Sequence, residues 1–368
     1  MRVAHFCNFA PGRCGMYEAA RDFVRADRLA GRVAELCDTG GDGREPEPGI
    51  YDERSGERTV ARAWGEVKDF DMFVVHGRFV SDWMASIDAP IVMAIHGRPA
   101  ACFRPEQNGT NDNRAFSWIC EASRYESVKA MITMWAEHVP YWEQLIPREK
   151  LHSTGSPPID CKMFHPNGPK LDFPEGVLGK RNLLICDSWR EDVDCFEAAM
   201  GAVCAAEIVP DLRVHFFAVE HKDGKYPACW DRIFRRLKDL DALGIVNGRI
   251  LEIAQVYRQM DVMLSPHRIA VRTIGESMAT GLPVVAELGC RYTPYTAQMQ
   301  DPESVAQQIK RCLSDLDTDK AAVSAKARMQ AVTHFGLKQF GEKLTGIYEK
   351  AMCLPLTCET VGEMKESA

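Results

Sequence analysis

Residues 265 to 287 read SPHRIAVRTIGESMATGLPVVAE. Two cations, Arg268 and Arg272, and a carboxylate, Glu276, recur here at intervals of four. The segment leaves an apolar run, DVMLSP, and enters a helical pattern, GESMATG, before a second apolar run, LPVVAEL. Where a helix starts after a strand, its first backbone N–H groups lack internal partners and can cradle phosphate oxygens. Val271, Arg272, Thr273 and Ile274 supply those amides. Arg268 and Arg272 could add charge-assisted hydrogen bonds to the same oxygens. Glu276, read as a first-turn residue, is favoured by the helix dipole and is a poor phosphate partner. It is a good acceptor for a vicinal diol such as a ribose. Cation, free amides and diol acceptor together point to a nucleoside diphosphate. The plainer alternative stays open: Glu276 only caps the helix and the arginines are solvated. On the first-turn placement, Glu276→Ala is expected to cost only ~0.3–1 kcal/mol of stability.

Such a segment needs a parallel sheet behind it, and the chain has the pattern of one. Apolar runs alternate with helical periodicity throughout. In the first half, strands are expected at 2–9, 32–38, 71–77 and 91–97. A helix is expected over MYEAARDFVRADRLAG, with Ala19, Phe23, Ala26 and Ala30 on one face and Gly31 closing it. The stretch YESVKAMITMWAEHVPYWEQL also reads as helical, with a break at Pro140. Proline and glycine accumulate over 156–179, a linker composition. The alternation then restarts with strands at 180–188, 212–220, 261–266 and 282–288. Asp301, Pro302 and Glu303 open a later helix with the expected N-terminal chemistry.

The bulk properties narrow the function classes. A chain of 368 residues exceeds one ordinary core, so two domains are expected. The net charge of -7 argues against broad electrostatic binding to nucleic acid or acidic lipid. No apolar run approaches membrane-spanning length, so stable membrane insertion is not expected. The fourteen cysteines are scattered without a C-x-x-C pair, which reads as reduced core thiols in a cytoplasmic protein. GESMA at 275–279 approaches a nucleophile elbow around Ser277, but its last position is Ala279 and it lies in a helical pattern.

The chain resembles retaining GT-B glycosyltransferases, the group that includes bacterial glycogen synthase and the phosphatidylinositol mannosyltransferases. The matching pieces are YRQMDVMLSP, IGESMATGLPVVA, DPESVAQQIKRCLSD and HFGLKQFGEKLTGIYEKAM, with MRVAHFCNFAPGRCGMYEAARDFVRADRLAGRV, DMFVVHG, APIVMAIHGRP and GSPPIDCKMFHP before them. The resemblance implies an α/β fold of two tandem Rossmann-like doubly wound domains facing a cleft. The expected division is an acceptor domain over 1–165, a nucleotide-sugar domain over 166–340, and a helix and tail over 341–368 that packs back on the first domain. The implied reaction moves a sugar from a nucleotide diphosphate sugar to an acceptor hydroxyl, with retention and without a metal or other cofactor. Glu276 would bind the donor ribose, and the backbone of Val271 to Thr273 would face the diphosphate. Gly12 and Gly15 match the family's glycine loop, where a missing side chain lets backbone approach the donor. His96 matches the histidine beside the transferred sugar.

Two positions depart from the family pattern. Arg268 stands where the first glutamate of the motif pair falls, which implies a different sugar, a changed role or lost activity. Together with His96 it is the candidate catalytic residue. Cys186 or Asp187, and Glu191, stand where relatives carry an Arg and a Lys on the diphosphate; Arg190, one residue off, is the candidate replacement. A catalytically altered or inactive sugar-nucleotide-binding protein is therefore the rival. So is a transferase for an unusual acceptor such as a modified nucleic-acid base. Among the acceptor classes, a glycan, a lipid head group, a small molecule or a modified base all remain open. The loops 39–58 and 98–118 are expected to flank that site.

Overall fold

The computed structural model describes residues 1–7, 15–38, 51–52, 57–58, 60–61, 69–77, 80, 85, 87–97, 99, 114–186, 196–218, 228–248, 250–267 and 270–353. Its first part contains strands β1 (Arg2–Phe6), β2 (Val33–Asp38), β3 (Tyr51–Asp52), β4 (Glu57–Arg58), β5 (Val60–Ala61), β6 (Met72–Gly77), β7 (Ile91–Ile95), β8 (Val128–Thr133) and β9 (Leu151–Ser153). Helices α1 (Gly15–Leu29), α2 (Arg114–Arg124) and α3 (Val139–Trp142) accompany them. Among the described residues the sheet order is β5-β2-β1-β6-β7-β8-β9, with every pairing parallel. The central strands β6, β7 and β8 are buried on both faces, so they carry continuous apolar runs and no alternation.

The second part repeats the plan. Strands β10 (Arg181–Cys186), β11 (Leu212–Phe217), β12 (Leu243–Val246), β13 (Val262–Leu264), β14 (Val284–Glu287) and β15 (Thr296–Ala297) form a parallel sheet in the order β12-β11-β10-β13-β14-β15. Helices α4 (Phe196–Ile208), α5 (Ala228–Asp239), α6 (Ile253–Tyr257), α7 (Arg272–Ala279) and α8 (Pro302–Phe335) cover it. In both sheets the chain order reverses beside the first strand, at β1–β6 and at β10–β13. In doubly wound sheets that switch point opens a crevice at the carboxyl ends of the strands, where ligands bind. The segment 265–276 leaves the carboxyl end of β13.

The last helix, α9 (Leu337–Cys353), returns to the first sheet. Its Leu337, Phe340, Leu344, Ile347 and Tyr348 join the core of Val3, Phe23, Val74 and Val92. The segment 156–179 is tied to the second part: Ile159 and Phe164 are buried in its core. Arg258 donates to the carbonyls of His165 at 2.7 Å, Pro169 at 2.9 Å and Met163 at 3.2 Å. Asp301 caps α8, its Oδ1 accepting from the amides of Glu303 and Ser304. No helix among the described residues is long and apolar enough to cross a membrane.

Three expectations need correction. Residues 128–133 form the strand β8 where a helix was expected, because a strand buried on both faces shows the same unbroken apolar run as a buried helix. The neighbouring helix lies earlier, at 114–124, in what reads as an acceptor-side loop. The third concerns α7, which starts at Arg272, so Glu276 sits in its second turn and the first-turn dipole argument for it fails.

Candidate functional site

The site is built where the two sheets direct their carboxyl ends toward one another. On the second-domain side, β13 ends at Leu264 and Ser265 follows, fully buried, with a hydroxyl that has no partner among the described residues. Val271 is the extended N-cap of α7 and supplies no side-chain cap. Thr273, in the first turn, also holds a buried hydroxyl without a partner. Buried hydroxyls are ordinarily satisfied, so two orphans flanking an uncapped helix start make it the candidate polar socket, with unused hydrogen-bonding capacity. Ser277, by contrast, is fully buried inside α7 and donates to the carbonyl of Ile274 at 3.1 Å, which leaves no room for a nucleophile elbow.

Glu276 is 8% exposed, one turn along from that socket. Its Oε1 accepts from Arg272 Nε at 2.6 Å and its Oε2 from the Tyr257 hydroxyl at 3.3 Å. Burial pushes the Glu276 carboxyl above its ordinary value, and Arg272 pulls it back down. A carboxylate has about four lone-pair directions, so two remain for a further donor.

Arg272 does something sequence reasoning missed. Its Nη1 donates to the Pro158 carbonyl at 2.9 Å, and its Nη2 lies 2.6 Å from Asp22 Oδ2, an ion pair across the cleft to α1. Arg21 holds the other oxygen of Asp22, at 3.1 and 3.0 Å, and reaches Glu18 at 2.7 Å. Burial lowers the Arg272 guanidinium, but Asp22 and Glu276 more than offset that and leave it above its ordinary value. The guanidinium therefore joins the two domains through Asp22 while steadying Glu276. Arg25 of α1 makes a second such pair with Asp160. Trp135, after β8, donates from Nε1 to the Ala270 carbonyl at 3.0 Å, just before the N-cap of α7. The only sequence signal for this strap is the four-residue spacing of Glu18 and Asp22 on the face of α1.

On the first-domain side, Gly15 opens α1, and a Cβ built there meets nothing within 4 Å. His96 follows β7 and is 7% exposed. Burial pulls its imidazole down to about 3. Gly12, Arg190, Arg268, Asp187 and Glu191 lie outside the described residues, as do most of the loops 39–58 and 98–118. Of the residues expected at the site, the structure thus brings together Arg272, Thr273 and Glu276 on α7 with Val271 as its N-cap, and sets His96 and Gly15 on the first domain. Asp22, Tyr257 and Ser265 join them unforeseen.

Two doubly wound domains joined in this way, with the last helix crossing back, form the GT-B fold of glycosyltransferases. Sucrose-phosphate synthase from Thermosynechococcus elongatus superposes with a TM-score of 0.68 at 14% identity, over 95% of this chain and 98% of that one. Trehalose-6-phosphate synthase OtsA gives a TM-score of 0.66 at 11% identity, over 95% and 99%. Anabaena HepE in complex with UDP and glucose gives 0.65 at 12% identity, again over 95% and 99%. No protein-family model matches the sequence. No curated protein matches it either.

Proposed function

We propose that this chain is a glycosyltransferase that takes a sugar from a nucleotide diphosphate sugar and passes it to an acceptor hydroxyl, with retention and without a metal. The observation that carries this reading is the polar socket at the start of α7, with Glu276 one turn away, at the switch point of a GT-B fold. HepE is described with UDP and glucose bound, and UDP-sugars are therefore the first donors to try.

In this reading the donor diphosphate sits against the amides of Val271, Arg272 and Thr273, and Glu276 accepts from the ribose hydroxyls. Departure of the sugar builds negative charge on the β-phosphate. Preorganised amides and cations aimed at that charge are the largest source of rate acceleration in such sites. Arg268 and Arg190 are the cations proposed for it; Arg272, bound to Asp22 and Glu276, acts by holding α7 against α1. Gly12 and Gly15 leave space for the donor, and His96 lies beside the sugar.

The test is a panel of nucleotide sugars, read by release of free nucleotide and by the shift in melting temperature. Ligand binding to the native state raises that temperature by mass action. Nucleotide release with at least one donor, together with a thermal shift, is the expected result. A thermal shift without turnover would make the chain a sugar-nucleotide-binding protein. Neither signal with any donor would reject the reading.

A further inference from the structure

Glu276 is held at both carboxyl oxygens, and the two holds come from different elements. On one side Arg272 Nε donates to Oε1 at 2.6 Å. That guanidinium is itself fixed, by the Pro158 carbonyl at 2.9 Å and by Asp22 at 2.6 Å. On the other side the Tyr257 hydroxyl lies 3.3 Å from Oε2. Tyr257 closes α6, 19 positions before Glu276.

The transfer reading leaves Tyr257 without a role. Its ring is fully buried in a core of the second domain that includes Phe164, Val256, Met260 and Met263. The hydroxyl is the ring's one polar atom, and a buried phenol ordinarily finds a hydrogen-bond partner. Here it reaches Glu276, with Cys186 Sγ at 3.9 Å beside it. Burial, then Cys186 and Glu276, raise this hydroxyl well above its ordinary value, so it keeps its proton. A hydroxyl both donates and accepts, so the link fixes Oε2 whether or not Glu276 is ionised.

Two anchors do what one cannot. A carboxyl group held at a single oxygen still turns about that contact. Held at both oxygens, it has a set plane, and the lone pairs left over point in set directions. The two hydroxyls of a vicinal diol stand in a fixed relation, so they need two acceptor directions at once. A single hydroxyl can follow a carboxylate that turns. The plane of Glu276 therefore matters more to a diol than to a lone hydroxyl.

We propose that Tyr257 is a positioning residue that sets the plane of the Glu276 carboxylate, and that this plane selects a nucleotide carrying both ribose hydroxyls over its 2′-deoxy counterpart. The proposal rests on the reading that Glu276 receives the donor ribose. Tyr257 itself need not touch the nucleotide.

The experiment is calorimetric titration of the full chain with UDP, ADP, GDP and CDP and with the 2′-deoxy form of each. Wild type should prefer at least one ribonucleotide over its 2′-deoxy form. Tyr257→Phe keeps the ring and removes the hydroxyl. In that variant the preference should shrink about fivefold, the worth of one net hydrogen bond. The loss should fall on the ribonucleotide and leave the 2′-deoxy affinity nearly unchanged. Equal losses on both ligands would mark a general disturbance of α7 and overturn the positioning role. So would an unchanged preference; in both cases the assignment of Glu276 to the ribose survives. A variant that cannot fold would make the hydroxyl structural and overturn the proposal as well. Wild type that binds a nucleotide without preferring ribose rejects the Glu276 assignment together with the proposal. Binding of no nucleotide rejects the transferase reading itself.

Discussion

Glu276 shows how one residue changes meaning between sequence and structure. As a first-turn acid it would be nearly dispensable for stability. It is instead a buried partner of Arg272, in the second turn of α7. Removing one member of a buried ion pair costs about 3–5 kcal/mol, because the other charge is left unmatched. Arg272 keeps Asp22, so Glu276→Ala is expected at the low end, about 3 kcal/mol, together with weaker donor binding. Urea unfolding and a donor titration measure the two effects separately. A stability loss under about 1 kcal/mol, the range of an exposed pair, would mean that the strap to Asp22 carries Arg272 unaided. Histidine shows a similar limit. VVHG and AIHG end two strands with the same residue, yet nothing in either run says that His76 and His96 touch.

At the scale of elements, α1 is the hub. Its inner face meets the first sheet, Asp22 reaches α7, and Ala26 meets α9. The meeting with α9 depends on a glycine. A Cβ at Gly341 would stand 2.5 Å from the Ala26 carbonyl oxygen, a backbone atom that cannot swing aside. Gly341→Ala should therefore force α9 away from α1 at a cost of about 1–3 kcal/mol, the usual range for overpacking. Thermal unfolding measures it, and an unchanged or higher melting temperature would show that the two helices can separate freely. Periodicity reported α1 well, because one of its faces is polar. It misreported β8, whose two buried faces remove the alternation that marks a strand.

For the whole molecule, buried histidines set the acid limit of stability. Burial lowers His76 and His96, the latter to about 3, and it lowers His215 to about 4. In the unfolded chain each takes up a proton near pH 6.5. Below that value the unfolded state binds more protons than the native state, so stability falls as pH falls. Glu276 works in the opposite direction: its raised value makes the native state the better proton binder just above the ordinary carboxylate range. Three lowered histidines outweigh one raised carboxyl, so the melting temperature should drop steadily between pH 7 and pH 5. His96→Gln should make that slope shallower. An equal slope in the variant would place its lost protons elsewhere.

The sequence by itself settled what depends on neighbours along the chain. Helix starts and stops were legible at Asp301 and Gly31, and so were most strands and the alternation that requires two doubly wound sheets. The strand–loop–helix segment ending at Glu276 was legible too, because free amides at a helix start follow from local backbone geometry. Only the tertiary structure decided which distant groups meet. Arg272 and Asp22 are 250 positions apart, and their pairing exists because two sheets turn their carboxyl ends toward each other. The contacts of His76 with His5 and His96 come from strand adjacency and register, and Tyr348 reaches Asp27 only because α9 crosses back. Hydrophobic period records that a face is buried and carries no record of what covers it. The strap and these histidine contacts were therefore written in the sequence but could be read only once the sheets were assembled.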